Sequence, residues 1–175
     1  REGHQGTQLF GEALLAFGGH HYQVVGASVA QLTWHQARLD AGERCYGGTA
    51  GHLVYIGSDE ENAFVVDAVK ALPAGRLPAG LATHAWIGAT DMRAEGRFEW
   101  VGGRHTGEVF YDTTLGETVD ERTVTYAHWS EGEPNDASGG EDCVQLMVGT
   151  GTLSSFWSDE NCYKPNEFFI VEFDK

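Results

Sequence analysis

Five carboxylates crowd a twelve-residue part of the stretch "WSEGEPNDASGGEDCVQLM", and no Lys or Arg accompanies them. They are Glu131, Glu133, Asp136, Glu141 and Asp142. Carboxylate and amide oxygens are the ligands that Ca²⁺ prefers, and crowded carboxylates repel one another unless a divalent cation lies between them. The stretch therefore favours a calcium site, with a solvated acidic loop as the alternative.

The acidity extends beyond this stretch. The chain has 26 Asp and Glu against 11 Lys and Arg, which gives a formal net charge of −15. No Lys or Arg lies between Arg122 and Lys164, although Asp159 and Glu160 also fall in that interval. Such a charge disfavours nucleic acid and anionic membranes, so we expect no nucleic-acid partner and no membrane insertion. A cation is the natural partner.

Three cysteines, Cys45, Cys143 and Cys162, show no CxxC spacing, so a structural zinc site is not expected. One disulfide with one remaining thiol is the simplest arrangement. A bond between Cys143 and Cys162 would close a loop of about 20 residues, stabilise the fold by about 3 kcal/mol and favour an oxidising compartment. Such a bond would also hold Asp159 near Glu141. Cys45 is interpreted as a small buried apolar residue, with an exposed or intermolecular thiol as the alternative.

The length of 175 residues suits one domain spanning residues 1–175. No apolar run is long enough to span a membrane, and the N-terminal residues lack the pattern of a signal peptide. Because the chain begins with Arg, we expect it to be part of a larger multidomain chain.

Two helices are expected in the first half of the chain. Thr33 is suited to cap a short helix over "WHQARLDAG", with Gly42 at its end. Ser58, followed three residues later by Glu61, predicts a capping box for a second helix that ends before Pro73.

Strands are expected mainly in the second half, where short apolar segments alternate with turn residues. They are "HAWIGATD", "RFEWVGG", "VTYAHW", "CVQLMV", "SSFWSDENC" and "EFFIVEF", with "HHYQVV" and "GHLVYI" earlier. The order predicts an α+β fold, in which residues 104–122 are an excursion. The aromatic residues expected in the core are Trp86, Trp100, Trp129 and Trp157, and the histidines expected on the surface or in strands are His84, His105 and His128.

Several segments together resemble a C-type lectin-like domain over nearly the whole chain. They are "TWHQA", "GHLVYIGSDEENAFV", "WIGATD", "HWSEGEPND", "EDCV" and "WSDENC", in the order of the family. The resemblance implies two helices flanking antiparallel sheets, with a long calcium-binding loop region. It also implies a cis peptide bond before Pro134.

The resemblance assigns calcium ligands to this chain residue by residue. Those of the sugar-contacting site are Glu133, Asn135, Glu141 and Asp159. Those of an auxiliary site are Asp91, Glu95, Asp136, Glu141 and Asp142. Two ions are therefore expected, with Glu141 shared between them.

Two departures from the family pattern are visible. Ser158 stands where the family has an Asn ligand, which removes an amide oxygen and a donor to sugar. The long-range disulfide of the family is missing, because its second cysteine would fall at Val171. Cys45 is then left without an obvious partner.

The resemblance implies calcium-dependent binding of a terminal mannose-, glucose- or fucose-type sugar through two neighbouring hydroxyls. Glu133, Asn135, Glu141, Ser158 and Asp159 are the expected sugar-contacting residues. We expect glycans as partners, an adhesion or recognition role outside the cell or on its surface, and origin in a bacterial adhesin.

Two function classes other than sugar binding bear on this sequence. A glycoside hydrolase with Glu133 and Glu141 as acid and base is disfavoured, because calcium ligands are not free to carry protons. No enzymatic activity is expected. A protein-binding or ice-binding module on the same fold remains an alternative, because a fold does not dictate function.

Overall fold

A computed structural model describes residues 13–26, 32–72, 83–115, 126–149 and 155–174. The chain within these ranges forms two α-helices and a large mixed sheet. The predicted stop at Pro73 lies outside the described residues, as do residues 116–125. None of the helices in the described part is both long and apolar enough to cross a membrane.

Helix α1 spans Trp34–Glu43 and begins with a complete capping box. The Thr33 side chain accepts the N–H of Gln36, whose own side chain accepts the N–H of Thr33. The predicted cap is thus confirmed, and the helix continues one residue past Gly42. Its Trp34 end is tied to the second half of the chain, since the Trp34 N–H donates to the carbonyl of Cys162 at 3.0 Å.

Helix α2 spans Asp59–Lys70 and buries one apolar face. Ser58 accepts the N–H of Glu61 as predicted, but the reciprocal half of the capping box is displaced by one residue. The Glu61 carboxylate accepts the N–H of Gly57 at 2.9 Å and the hydroxyl of Tyr22 at 2.6 Å. Glu61 therefore joins the start of the helix to a neighbouring strand.

Most strands lie where the apolar segments predict them. Strands β1 (Leu14–Phe17) and β2 (His20–Gly26) form an N-terminal hairpin, and β3 (Cys45–Tyr46) with β4 (Thr49–Ala50) forms a second, separate pair. The remaining strands are β5 (His52–Leu53), β6 (Thr83–Thr90), β7 (Arg97–Trp100), β8 (Val109–Asp112), β9 (Cys143–Val148), β10 (Trp157–Glu160) and β11 (Phe168–Phe173).

Strand β11 is the centre of the sheet. It pairs antiparallel with β2 and β5 and parallel with β6. From β6 the sheet continues through β7 to β8, and β6 also pairs with β9, which carries β10. All six residues of β11 are buried, which explains their nearly continuous apolar sequence.

Two buried clusters fill the interior of the described part. One contains residues of α2 together with Trp100 and Trp157, and the other contains α1, Trp86 and the half-cystines. Trp86, Trp100 and Trp157 are core residues as predicted, and Trp129 is half-buried against the first cluster.

Cys143 and Cys162 form the one disulfide within the described ranges. It joins the start of β9 to the segment after β10, so the two ends of this hairpin cannot separate. The interpretation of Cys45 as a buried residue is wrong, because this free cysteine is exposed in the two-residue strand β3. The strand β3 pairs with β4 outside the main sheet, and both of its residues are exposed.

Two other sequence predictions need correction. The described part of "VTYAHW", residues 126–129, contributes only an isolated bridge between Trp129 and Trp157 rather than a strand. The excursion over residues 104–122 contains β8, whose Tyr111 pairs with Phe98 of β7. Val109, Phe110 and Tyr111 favour a strand, but three such residues are too short a signal to predict one by themselves.

Candidate functional site

The acidic loop leaves the sheet after Trp129 and returns to it at Cys143. Its start is fixed by a hydrogen bond from the N–H of Ser130 to the carbonyl of Trp157 at 2.9 Å. A turn follows, in which the N–H of Glu133 donates to the carbonyl of Ser130 at 3.0 Å. The Glu133–Pro134 peptide bond is cis, as the resemblance implies.

The carboxylate of Asp159 organises this loop from strand β10. Its Oδ1 accepts the N–H of Asn135 at 3.0 Å, and its Oδ2 accepts the N–H of Asp136 at 2.8 Å. The residue is only 4% exposed, and hydrogen bonds to a charged acceptor are the stronger kind. Asp159 thus brings the Glu-Pro-Asn triplet onto the end of the disulfide-closed hairpin.

Asp136 closes the next turn of the loop. Its Oδ1 accepts the N–H groups of Gly140 at 2.5 Å and Glu141 at 3.2 Å, and its backbone has a φ of 44°. Asp is among the residues that tolerate this left-handed conformation, because its short side chain bonds to the nearby backbone. The N–H of Ala137 in turn donates to Oε2 of Glu141 at 2.8 Å. This bond holds the Glu141 carboxylate next to Ala137, two residues after the triplet.

Glu133 and Asn135 contact each other directly. The Asn135 side-chain Nδ2 donates to Oε2 of Glu133 at 2.7 Å. Burial, followed by the neighbouring Asp159, raises the pKa of Glu133 to about 7. Burial likewise raises the pKa of Glu141. Without a cation, these carboxylates hold protons more tightly than free carboxylates do, because they are partly buried and, to a smaller extent, because their charges lie close together.

Asp91 lies at a second acidic position, directly after β6. The residue is 1% exposed, its Oδ2 accepts the N–H of Gly96 at 2.8 Å, and its Oδ1 is buried without a hydrogen-bond partner in the described part of the chain. Burial, with smaller contributions from Glu95 and Asp142, raises the pKa of Asp91 to about 7. A buried oxygen without a partner, beside two further carboxylates, fits a cation ligand.

The backbone connects Asp91 to the acidic loop. The N–H of Asp91 donates to the carbonyl of Asp142 at 3.2 Å, and the Thr90 hydroxyl donates to the same carbonyl at 2.5 Å. The structure therefore brings Asp91, Glu95 and Asp142 into one neighbourhood, next to the group formed by Glu133, Asn135, Asp136, Glu141 and Asp159.

Ser158 is placed differently from the residues around it. Its hydroxyl accepts Nε2 of Gln145 at 3.1 Å, and the Oε1 of that glutamine accepts Nδ2 of Asn166 at 2.9 Å. The residue is only 6% exposed. The Ser158 hydroxyl thus takes part in an interior network that fastens β10 to β9, and its contact with sugar stays a prediction.

In the described structure, no three carboxylates of the loop have their ligand atoms within 4.8 Å of one another. Within the described ranges, one group of three His, Cys, Asp or Glu residues has all its ligand atoms within 4.8 Å of one another, and it lies elsewhere. That group is His20, Glu172 and Asp174, which the sequence analysis did not identify. The sequence contains a partial signal for this group. Glu172 and Asp174 stand two residues apart where the apolar segment "EFFIVEF" ends, and His20 begins the segment "HHYQVV".

The sequence model of the family described as "Lectin C-type domain" matches residues 30–169. Perlucin from Haliotis laevigata is 30% identical over 117 residues, which cover 67% of this chain and 58% of that protein. Halomucin from Haloquadratum walsbyi is 28% identical over 165 residues, which cover 93% of this chain and 2% of that protein. The chain therefore spans less than two thirds of the length of these relatives. Neither source supports the predicted bacterial origin.

Solved structures show the same fold. CEL-I from Cucumaria echinata has a TM-score of 0.67 at 20% identity, covering 92% of this chain and 94% of that chain. The cow domain of CD23, solved in the presence of a GlcNAc2Man3 oligosaccharide, has a TM-score of 0.63 at 24% identity, covering 97% and 98%. A calcium-independent type II antifreeze protein has a TM-score of 0.60 at 20% identity, covering 97% of both chains. The predicted α+β fold class is confirmed.

Proposed function

Because this chain belongs to the lectin C-type domain family, we propose that residues 1–175 form one domain that binds carbohydrate through a bound calcium ion. Family membership suggests carbohydrate binding, and members of the family are generally binding proteins without enzymatic activity. The calcium proposal rests on one observation: the Asp159 carboxylate accepts hydrogen bonds from the N–H groups of Asn135 and Asp136. These bonds hold the triplet next to Asp159.

Four side chains would hold the sugar-contacting ion: Glu133, Asn135, Glu141 and Asp159. Their donor set of three carboxylates and one amide has the oxygen chemistry that Ca²⁺ requires, and no Lys or Arg side chain is hydrogen-bonded to any of them in the described structure. A bound Ca²⁺ would supply free coordination positions that two neighbouring sugar hydroxyls can fill. A second ion would be held by Asp91, Glu95, Asp136, Glu141 and Asp142, and the unpartnered Oδ1 of Asp91 supports it.

The residues of the loop would select the sugar by hydrogen bonding. The Glu133 and Glu141 carboxylates can accept hydroxyl protons, and the Asn135 amide can donate to a hydroxyl lone pair. The bond between Asn135 and Glu133 must open for this, and both side chains are exposed enough to turn. By its resemblance to Glu-Pro-Asn members, this order favours the equatorial hydroxyl pair of mannose, glucose or N-acetylglucosamine, or the comparable pair of fucose.

The proposal places the domain outside the cell or on its surface, as part of a larger chain with an adhesion or recognition role. The Cys143–Cys162 disulfide fits an oxidising environment. A single site of this kind is small and open to solvent, so we expect a sugar affinity of about millimolar and a need for several copies to bind tightly.

A second candidate function is a protein-binding or ice-binding module that calcium only stabilises. Ser158 favours it, because the Asn ligand of the family is replaced by a hydroxyl that is already bound to Gln145. The likeness to an antifreeze protein concerns the fold alone.

Calorimetry separates the two candidates. Calcium is titrated into the chelator-treated protein, and mannose is then titrated with calcium present and with calcium absent. Heat from mannose only in the presence of calcium supports the lectin. Calcium binding without any response to mannose, fucose or a glycan array supports the second candidate, and no response to calcium rejects both.

A further inference from the structure

A group of metal-binding side chains lies on strands that contribute no residue to the proposed calcium sites. His20 begins β2, Glu172 lies in the neighbouring β11, and Asp174 directly follows that strand. Their ligand atoms all lie within 4.8 Å of one another. His20 Nδ1 is 2.6 Å from Oε1 of Glu172 and 3.2 Å from Oδ1 of Asp174.

His52 of strand β5 provides a second, independent observation. Its Nδ1 is 2.8 Å from the carbonyl of Leu53, which can only accept, so the ring proton must be on Nδ1. The other ring nitrogen, Nε2, is buried without a hydrogen-bond partner, in a side chain that is 10% exposed. It faces Oδ2 of Asp174 at 3.4 Å. A buried imidazole nitrogen without a hydrogen bond thus lies beside a carboxylate oxygen, and both are ligand types that a metal ion can bind.

We propose that His20, Glu172 and Asp174, joined by His52, form a site for a divalent transition metal of the zinc class. Imidazole nitrogens and carboxylate oxygens are typical zinc ligands. Tetrahedral ligands about 2.0 Å from Zn²⁺ lie about 3.3 Å from one another. His20 Nδ1 is 3.2 Å from Oδ1 of Asp174 and His52 Nε2 is 3.4 Å from its Oδ2, so both separations are close to that spacing. To share one ion, His20 and Glu172 must move apart, and His52, which lies outside the group within 4.8 Å, must move closer.

Backbone groups already orient the two carboxylates. The N–H of Tyr55 donates to Oε2 of Glu172 at 3.0 Å, which leaves Oε1 directed toward His20. The N–H of Arg104 donates to Oδ2 of Asp174 at 3.1 Å. Such outer hydrogen bonds hold ligands in place around a metal.

The site has space and a path of entry. A cavity of about 420 Å³ is lined by His52, Asp174 and Gly103 among other residues. A Cβ at Gly103 would stand 2.7 Å from Oδ2 of Asp174 and would also contact Nε2 of His52. The glycine thus keeps the space next to these two ligands open.

Arg104 is the competing cation. Its guanidinium contacts Nε2 of His20, and its Nε lies 3.6 Å from Oδ1 of Asp174. Coordination of the metal through Nδ1 requires the ring proton of His20 to be on Nε2, and the guanidinium, which is also a donor, must then leave. The Arg104 side chain is 53% exposed, so it can swing into water. Arg104 should therefore weaken metal binding, whereas the other members of the group support it.

The test is a Zn²⁺ titration by calorimetry on the full, tag-free chain carrying Cys45→Ser, since an exposed thiol would itself bind zinc. Excess Ca²⁺ is present throughout to fill the proposed loop sites. We expect one Zn²⁺ per chain, binding weakened at least about tenfold by His20→Gln or Asp174→Asn, weakened less by His52→Gln, and strengthened by Arg104→Gln.

Controls separate this proposal from the proposed function. His35→Gln, on helix α1, should leave Zn²⁺ binding unchanged, and Asp159→Asn should abolish sugar binding without affecting Zn²⁺. Because Co²⁺ is paramagnetic, it should broaden the imidazole NMR signals of His20 and His52 but not that of His35. No Zn²⁺ heat, or equal losses in His20→Gln and His35→Gln, would overturn the site; full affinity in His52→Gln would overturn the role of His52.

Discussion

The Asp159 carboxylate accepts the backbone N–H of Asn135 at 3.0 Å, across 24 positions of the sequence. This bond fixes the triplet relative to β10, because its acceptor is a buried side chain in the sheet. The Asp159 carboxylate therefore positions the first part of the loop, and in the proposed function it also binds the ion.

Asp159→Asn tests both roles. The Asn side chain has an NH₂ group in place of one carboxylate oxygen, so one of the two N–H groups, of Asn135 or Asp136, loses its acceptor. We therefore expect a loss of stability of about 1–3 kcal/mol without calcium. Calcium affinity should fall at least about tenfold, because a charged ligand is lost. Urea unfolding and calorimetry measure the two effects. Glu131→Gln is the matched control, since Glu131 is an exposed carboxylate of the same loop outside both proposed ligand sets, and it should change neither quantity appreciably.

Asp91 predicts how the stability of the metal-free protein depends on pH. Its folded-state pKa of about 7 lies above the ordinary value of 3.8. Between these values the folded state holds a proton that the unfolded state has lost, so the metal-free protein loses stability as the pH rises through this window. Calcium needs the ionised form, so its stabilising effect should grow over the same range.

Asp91→Asn should flatten this profile. With chelator present, the variant should gain on the order of 2–4 kcal/mol over the parent near pH 7.5 and little near pH 4, because the parent must bury a charge at the higher pH and the effect vanishes near the unfolded pKa of 3.8. With calcium, it should lose part of the ligand-induced rise in Tm. Thermal unfolding at the two pH values measures both effects. A variant that is less stable than the parent at both values without calcium would contradict the assigned pKa.

The sequence determines the helices and the order of the strands well, because these depend on local signals. Thr33 and Ser58 have the side chains of helix caps, and the apolar runs of β6, β9 and β11 are long enough to require burial. The missed strand β8 has only four residues and gains its stability from pairing with β7. Its formation therefore depends on a tertiary contact rather than on local pattern.

The candidate site could be predicted only in part for the same reason. Spacing and family resemblance suggested its residues, whose role in binding stays a prediction, but not the hydrogen bonds that Asp159 makes across the hairpin. The bond between Ser158 and Gln145 depends on the register of β10 against β9, which no sequence pattern specifies. The exposure of Cys45 likewise follows from its place in a short hairpin outside the main sheet.

The Cys143–Cys162 disulfide should support calcium binding as well as stability. The two cysteines are 19 positions apart in the sequence, and Cys162 follows Asp159 by three residues. Replacing both cysteines with Ala should lower the free energy of unfolding by about 3 kcal/mol and weaken calcium binding, because the Asp159 end of the hairpin is less well fixed. Urea unfolding with and without calcium measures both effects. Cys45→Ser should have no such effect, and an equal loss there would contradict the argument.

The proposed sugar preference depends on which side chains of the triplet accept and which donate. Glu133→Gln with Asn135→Asp keeps the total of one carboxylate and one amide while exchanging their positions. The geometry of donors and acceptors presented to a hydroxyl pair is then reversed, and by family resemblance galactose should be preferred over mannose. Competition binding on immobilised mannose and galactose, with calcium present, measures the change. Calcium affinity is the internal control and should stay within about tenfold of the parent, because charge and ligand number are retained. An unchanged preference with calcium still bound would show that residues outside the triplet select the sugar.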